Sequence, residues 1–238
     1  MYIDIHAHIL PAVDDGAKNI DESLSLLRML KAQNVGAVAV SPHFYPRRET
    51  SVTEYKARIT AAYERLISHR DDTLPEIYLG SEVHFFSGMS QLSDIDKLCI
   101  GNSNYILIEF PYRNITYSMA NEIIELNLNQ GIMPILAHIE RYRNFQGFEH
   151  ILRLIDEGFA LGQINAYSLL ELKPRRTTRK LIERGFVSFV ASDCHSAEEI
   201  PPQIGEALGR IEKKLGSQVL TKLKANSEDI YKKIKGND

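Results

Sequence analysis

The stretch "YIDIHAHI" (residues 2–9) decides how the chain is read: its β-branched alternation is that of a strand, yet it carries one Asp and two His. Side chains alternate along a strand, so Ile3, Ile5, Ala7 and Ile9 are expected on one face and Asp4, His6 and His8 on the other. The apolar face suits packing against helices. The polar face then points into a barrel or toward its mouth, where an unpaired charge or imidazole is costly. Something must satisfy these groups.

Similar apolar runs, rich in Ile, Val and Ala, recur at 36–43 (GAVAVSPH), 76–85 (EIYLGSEVHF), 105–111 (YILIEFP), 133–140 (MPILAHIE), 160–167 (ALGQINAY) and 187–195 (VSFVASDCH). Amphipathic patterns predict helices between them at 21–33, 52–70, 117–131, 147–158 and 174–185, several ending in Gly as helix C-termini often do. A short helix is expected within 90–98, and the tail from Pro202 reads as two helices divided near Gly216, with Ser217 as an N-cap. Regular β-α alternation, with no Pro/Ser-rich linker and no repeat, predicts one α/β domain over 1–238, with 202–238 as C-terminal helices. The architecture expected first is a distorted, TIM-like (β/α)7 barrel, closed or nearly so; an open doubly wound sheet is the alternative.

At 238 residues, 44% hydrophobic and 25% charged, the chain is long enough for a large core. A net charge of -3 gives no sign of the basic field used to bind nucleic acid or anionic membranes, so neither partner is expected. No apolar run approaches the ~20 residues that cross a bilayer, which argues against membrane insertion. Two cysteines, Cys99 and Cys194, and an N-terminus without a signal-like pattern point to a reducing cytoplasm.

Nearly every predicted strand ends in a metal-ligand residue type. His43 closes the second, Glu82 lies near the end of the third, Glu109 of the fourth and His138 of the fifth; Asp193 and His195 close the seventh and share a face, as His6 and His8 do. Active sites of β/α barrels assemble at these C-terminal ends. Asp15, in the loop PAVDDGAK, can reach back over the same mouth. Imidazole and carboxylate without thiolate suit Zn²⁺, Mn²⁺, Fe²⁺ or Co²⁺ better than Ca²⁺, and nine such groups exceed the needs of one ion. Two or three bridged metals are implied, a device that lowers the pKa of bound water and clamps both oxygens of a phosphoryl transfer. Phosphate-ester hydrolysis is the leading chemistry.

Taken alone, an HxH pair in a strand is as readily a hydrogen-bonded structural pair as a metal site; the repetition at strand ends favours metal. His69, His84 and His150 fit no such pattern and read as solvated or rim residues, although His84 shares a face with Glu82. Cys194 alternates away from its neighbours and reads as a buried inert thiol. The Lys-rich ending YKKIKGND reads as a solvated helix face.

The blocks DIHAHILPAVDDG, SPH, SEVHF, LIEFP, AHIERY and ASDCH, in this order, resemble the polymerase and histidinol phosphatase (PHP) superfamily. Within it they are similar to the bacterial CpsB/YwqE-type tyrosine-protein phosphatases of capsule and exopolysaccharide gene clusters, over roughly residues 2–205. The resemblance implies three metals, with Mn²⁺ the one most associated with activity: His6, His8, Glu82 and Asp193 at the first, Glu82 bridging to a second with Glu109 and His138, and Asp15, His43 and His195 at the third. It also implies that Arg141 lies near the phosphate, against the alternative of a surface ion pair with Glu140 or Glu109. Its substrate would be a phosphotyrosine-containing protein, the Tyr-rich tail of a bacterial tyrosine autokinase, in the control of polysaccharide synthesis.

One departure stands out. Relatives usually carry an arginine before two prolines after the DxH, as in DGRPP, whereas this chain reads AEEIPP with Ile200 there; Arg175 or Arg176 could substitute. The expected mechanism is in-line attack by a metal-bridging hydroxide, with Arg141 stabilising the equatorial oxygens and His195 or a bound water able to protonate the leaving group. No phosphocysteine is expected, because there is no C-x₅-R loop. The rival readings are a small phosphomonoester (histidinol-phosphate-like) phosphatase, a PHP-type nuclease, and a decayed phosphotyrosine-binding module. A homo-oligomer, with the tail helices packed on a neighbouring subunit, is compatible with the sequence.

Overall fold

The computed structural model describes residues 1–171 and 175–236, with backbone only at Arg175. Nine parallel strand segments are present: β1 (Tyr2–Ala7), β2 (Val35–Val40), β3 (His43–Phe44), β4 (Glu76–Leu79), β5 (Glu82–His84), β6 (Tyr105–Glu109), β7 (Met133–Leu136), β8 (Leu161–Asn165) and β9 (Phe189–Ala191). They order as β1-β2-β4 and β3-β5-β6-β7-β8-β9. The second and third expected strands are each broken in two: Pro42, which has no N–H, and Gly80–Ser81 interrupt them at the same level. Backbone bonds Gly80 N–H to Val40 O (2.9 Å) and Glu82 N–H to Pro42 O (3.1 Å) carry the pairing across the break. Asp193 N–H to His6 O (2.8 Å) and His8 N–H to Cys194 O (2.9 Å) then join the last strand end to the first.

Helices α1 (Ile20–Ala32), α2 (Val52–His69), α3 (Tyr117–Gln130), α4 (Phe148–Asp156), α5 (Arg175–Glu183), α6 (Ile204–Leu215) and α7 (Ser217–Lys235) cover the circuit. Side-chain caps start three of them: Asn19, Ser51 and Thr116 accept the Glu22, Glu54 and Met119 amides at 3.0, 3.1 and 3.3 Å. Each such cap contributes about 1 kcal/mol. The segment expected as a helix in 90–98 is two single 3-10 turns, Met89–Gln91 and Ile95–Leu98, and Ser217 is the first residue of α7, with Gly216 in the cap position. The tail therefore does form two helices. The part of the 174–185 helix expectation that falls on Pro174, and the side chain of Arg175, lie outside the described residues.

The faces of β1 depart from simple alternation. Ile3 and Ile5 pack with Ala37, Ala39, Leu107, Ile135 and Ala191, the layer enclosed by the strands, and Ile230 and Ile234 of α7 join this layer. Ala7 and Ile9 belong instead to the layer shared with the helices. The pairing of β1 with β2 slips between Asp4 and Ala7, and such an irregularity re-aims side chains. Asp4 is thereby separated from the two histidines: its carboxylate accepts Ser192 N–H at 3.0 Å and Ser192 Oγ–H at 2.5 Å. Burial pushes the Asp4 carboxyl up to about 6 against those bonds.

Candidate metal centre

At the C-terminal strand ends the side chains of His6, His8, Glu82 and Asp193 meet, all buried. His6 Nε2 lies 3.3 Å from Glu82 Oε2 and 3.2 Å from Asp193 Oδ1, and His8 Nε2 lies 3.3 and 3.5 Å from the same atoms. The two Nε2 atoms are 3.2 Å apart. Gln163 Oε1 accepts the His138 amide at 2.8 Å and faces His6 Nδ1 at 3.2 Å, so His6 donates from Nδ1. His8 Nδ1 donates to Asp14 Oδ2 at 2.8 Å. Neutral imidazoles fixed in this way turn two Nε2 lone pairs toward each other and toward two carboxylates. A cation satisfies all four, and the donor set fits a divalent ion.

A second group adjoins it. His138 Nε2 is 3.2 Å from Glu82 Oε1 and 3.4 Å from Glu109 Oε1, while His43 Nδ1 is 3.1 Å from Glu82 Oε2. The Nδ1 atoms of His43 and His138 are buried without a hydrogen-bond partner among the described residues. Glu82 thus touches four histidines and is the natural bridge. Burial opposes ionisation of Glu109, but hydrogen bonds from His138 and His84 outweigh it and lower that carboxyl to about 2. Burial and the Arg141 charge oppose protonation of His138, yet Glu109 and Glu82 raise it to about 9. With no metal bound, protons take the place of cations.

The third group lies at the rim. Asp15 Oδ1 is 3.5 Å from His43 Nε2 and 3.6 Å from His195 Nε2, and with His8 these residues offer donor atoms within 4.8 Å of one another. Asp15 is 65% exposed, while the adjacent Asp14 is buried against His8. Their loop presses on the site: Ala17 N–H bonds to His8 O at 3.0 Å, and a Cβ on Gly16 would lie 2.1 Å from that oxygen. Only Gly fits this approach.

Two donors depart from the strand geometry expected of them. His138 follows β7 with φ 34°, and Asp193 follows β9 with φ 53°, both left-handed. Asp193 and His195 therefore do not share a strand face; His195 Nδ1 donates instead to the Asp193 carbonyl at 2.9 Å. Such conformations are rare for residues other than Gly and cluster at functional sites.

Arg141 has neither Glu140 nor Glu109 as its ion-pair partner. Nη2 donates to Asp193 Oδ2 at 2.8 Å and Nε to Tyr167 Oη at 3.1 Å, with the guanidinium lining the mouth. Glu140 is buried and accepts the Asn165 amide at 3.1 Å. Sequence reasoning missed the groups that orient the donors. Besides Asp14 these are Gln163 and Asn165 of β8: Gln163 Nε2 donates to Asn165 Oδ1 at 2.8 Å, and Asn165 Nδ2 to Asp193 Oδ2 at 2.5 Å. Two amides at alternate positions of a buried strand were the available signal. His84 pairs with Glu109 at 3.2 Å on the rim. Cys194 is buried, with its thiol pushed up by burial, as an inert thiol should be.

Above the donors lies a cavity of about 390 Å³, with Tyr45, Arg141 and Ile200 on its walls. The Tyr45 ring stacks on His43 with centroids 4.9 Å apart, and Arg48 lies 4.7 Å over its centroid. Ile200, at the place of the missing arginine, is 41% exposed. No described helix is long and apolar enough to cross a membrane.

Comparisons with known proteins agree with this site. The tyrosine-protein phosphatase YwqE of Bacillus subtilis (strain 168) is 30% identical over 234 residues, covering 95% of this chain and 90% of that protein. The tyrosine-protein phosphatase CpsB of Streptococcus pneumoniae is 30% identical over 232 residues, covering 91% and 92%. In a structure described as YwqE and CpsB, "unique metal-dependent tyrosine phosphatases", the matched chain superposes with TM-score 0.79 at 28% identity over 95% of this chain and 92% of that one. A β-aspartyl dipeptidase from Fervidobacterium islandicum shares the fold alone, with TM-score 0.54 at 14% identity, covering 96% of this chain and 74% of the other. The model of the CpsB/CapC family, described as capsular polysaccharide synthesis, matches residues 2–232, and the chain belongs to that family.

Proposed function

We propose that this protein is a metal-dependent phosphotyrosine-protein phosphatase whose substrate is the tail of a bacterial tyrosine autokinase and whose action regulates capsular or exopolysaccharide synthesis. The convergence of five histidines and four carboxylates beneath one open cavity carries the reading. His6, His8, Glu82 and Asp193 would hold one ion, Glu82, Glu109 and His138 a second, and Asp15, His43 and His195 a third, with Mn²⁺ proposed ahead of Fe²⁺, Zn²⁺ or Co²⁺. Such ions supply Lewis acidity and activated water.

The chain's own residues do the rest. Asp193 and Tyr167 fix Arg141, which leaves the remaining guanidinium N–H groups free to bind phosphoryl oxygens as charge develops on them. Tyr45, braced by His43, offers a ring face to the aryl group of the substrate. A phenolate leaves readily, with a free pKa of ~10, so proton donation by His195 helps without being essential. Ile200 on the opposite wall favours a second reading, a smaller phosphomonoester such as one resembling histidinol phosphate.

The test is phosphate release from a phosphotyrosyl peptide by Mn²⁺-loaded protein, with a chelated sample and histidinol phosphate alongside. Peptide turnover only when loaded is the expected result. A fully loaded protein that leaves the peptide intact rejects the proposal, and preference for histidinol phosphate moves the second reading ahead. Within the same assay, Arg141→Ala is expected to lower turnover about 10²-fold, with Lys restoring little because it lacks the fork geometry.

A further inference from the structure

Beside the mouth lies a second concavity, of about 750 Å³, between α5 and α6. Its walls carry Arg176, Arg179, Arg210, Lys213 and Lys214 against the single carboxylate of Glu206. In a chain of net charge -3 this is a local reversal of sign. The spacing produces it: Arg176 and Arg179 are one turn apart on α5, and Glu206, Arg210 and Lys213 or Lys214 follow one face of α6. Arg179 and Arg210 are partly spent on ion pairs with Glu183 (3.3 Å) and Glu206 (3.5 Å). Among the described residues, no carboxylate pairs with Arg176, Lys213 or Lys214.

The floor is apolar, with Leu169, Ile211 and Leu215. Gly209, exposed at the middle of α6, opens it further. A Cβ there would meet nothing within 4 Å, in contrast to Gly205 one turn earlier, whose Cβ would meet Gln33 at 3.3 Å. Packing within the chain thus gives no reason for Gly209, although Gly in a helix interior is unfavourable. The groove adjoins the mouth across one ridge: Leu169 lines the groove and Leu170 the mouth, and Arg210 Nη1 donates to both their carbonyls at 3.3 Å.

We infer that this groove docks an acidic, aromatic-containing polypeptide segment flanking the residue held in the mouth. The basic walls supply charge complementarity, and the apolar floor takes the non-polar side chains. The inference names a partner surface for the same site and rests on the phosphatase reading only for its catalytic arm.

The direct test is fluorescence anisotropy with an unphosphorylated peptide alternating Glu and Tyr, which needs no turnover. Two variants perturb the groove by different means: Lys213→Glu/Lys214→Glu reverses charge on exposed positions, and Gly209→Gln fills the floor where the backbone tolerates a side chain. Each should weaken binding about tenfold, and wild-type binding should weaken with added salt. Peptide affinity equal in wild type and both variants overturns the docking site, as does tighter binding of a heparin fragment of matched charge. In the catalytic arm, KM for an acidic phosphotyrosyl peptide should rise in the variants while turnover of p-nitrophenyl phosphate stays unchanged. Loss of p-nitrophenyl phosphate turnover in wild type breaks the phosphatase reading and leaves the anisotropy result to judge the groove.

Discussion

The floor and the rim of the donor cluster are built differently. On the floor, His6, His8 and Asp193 are buried and each is held by a second partner, Gln163, Asp14 and Asn165 respectively. At the rim, Asp15 is 65% exposed, and His195 is braced only by the carbonyl of Asp193. A pre-oriented donor set binds without a further ordering cost, whereas a half-solvated one must be ordered by the ion itself. The floor is thus the permanent part of the site and the rim its exchangeable part.

The strongest attack on this distinction is Glu82→Gln, which keeps the volume but removes the charge shared by four histidines. Metal content should collapse and turnover should fall at least about 10²-fold; normal metal content by elemental analysis would remove Glu82 from the bridge. Gln163→Leu leaves every proposed ligand in place but frees the His6 ring and the His138 amide. A loss of about 10–100-fold in floor affinity is expected, read by metal titration. Asp15→Asn should cost less, with about tenfold weaker binding of one ion only and activity recovered in excess metal.

Acidity separates the two layers further. Without metal, neighbouring carboxylates raise His6, His8 and His138, the last to about 9, so at neutral pH the floor holds protons that binding must expel. Burial and then the His8 charge lower His195, which leaves the rim fewer to lose. Floor affinity should therefore fall steeply as pH drops and rim affinity gently. Calorimetry in buffers of different ionisation enthalpy measures the protons released at each step; equal release at both would contradict the layering. The smallest effect is expected from Ile200→Arg: a gain of about tenfold or less in kcat/KM on phosphotyrosyl peptides, or none if the groove cations already serve the substrate.

Much of this was legible in the sequence, because strand composition and the positions of His and carboxylates at strand ends survive local irregularity. The nine donors were read correctly as neighbours, although two of them, His138 and Asp193, lie just past their strands in left-handed turns that no alternation rule anticipates. The slip in β1 was equally invisible: period-2 reading places Asp4 beside His6, and only the register shift assigns it to Ser192. Gln163 and Asn165 escaped notice because a buried amide carries no signature until its partners are known. Arg141 was legible as a mouth residue, but its partner Asp193 comes from a distant strand.

The joining of the first strand to the last has a consequence in time. His6 and His8 leave the ribosome almost at once, yet their backbone partners are Asp193 and Cys194, and β1 is further clasped by α7 through the Ile3 amide on Ser227 Oγ (2.8 Å) and the N-terminus on Glu228 (2.8 Å). Contacts of such long range form late. A chain still being made therefore carries histidines without a site, and metal capture is reserved for the finished molecule. A truncated product lacking the last strand would keep seven of the nine donors and still be unable to close the cluster around an ion.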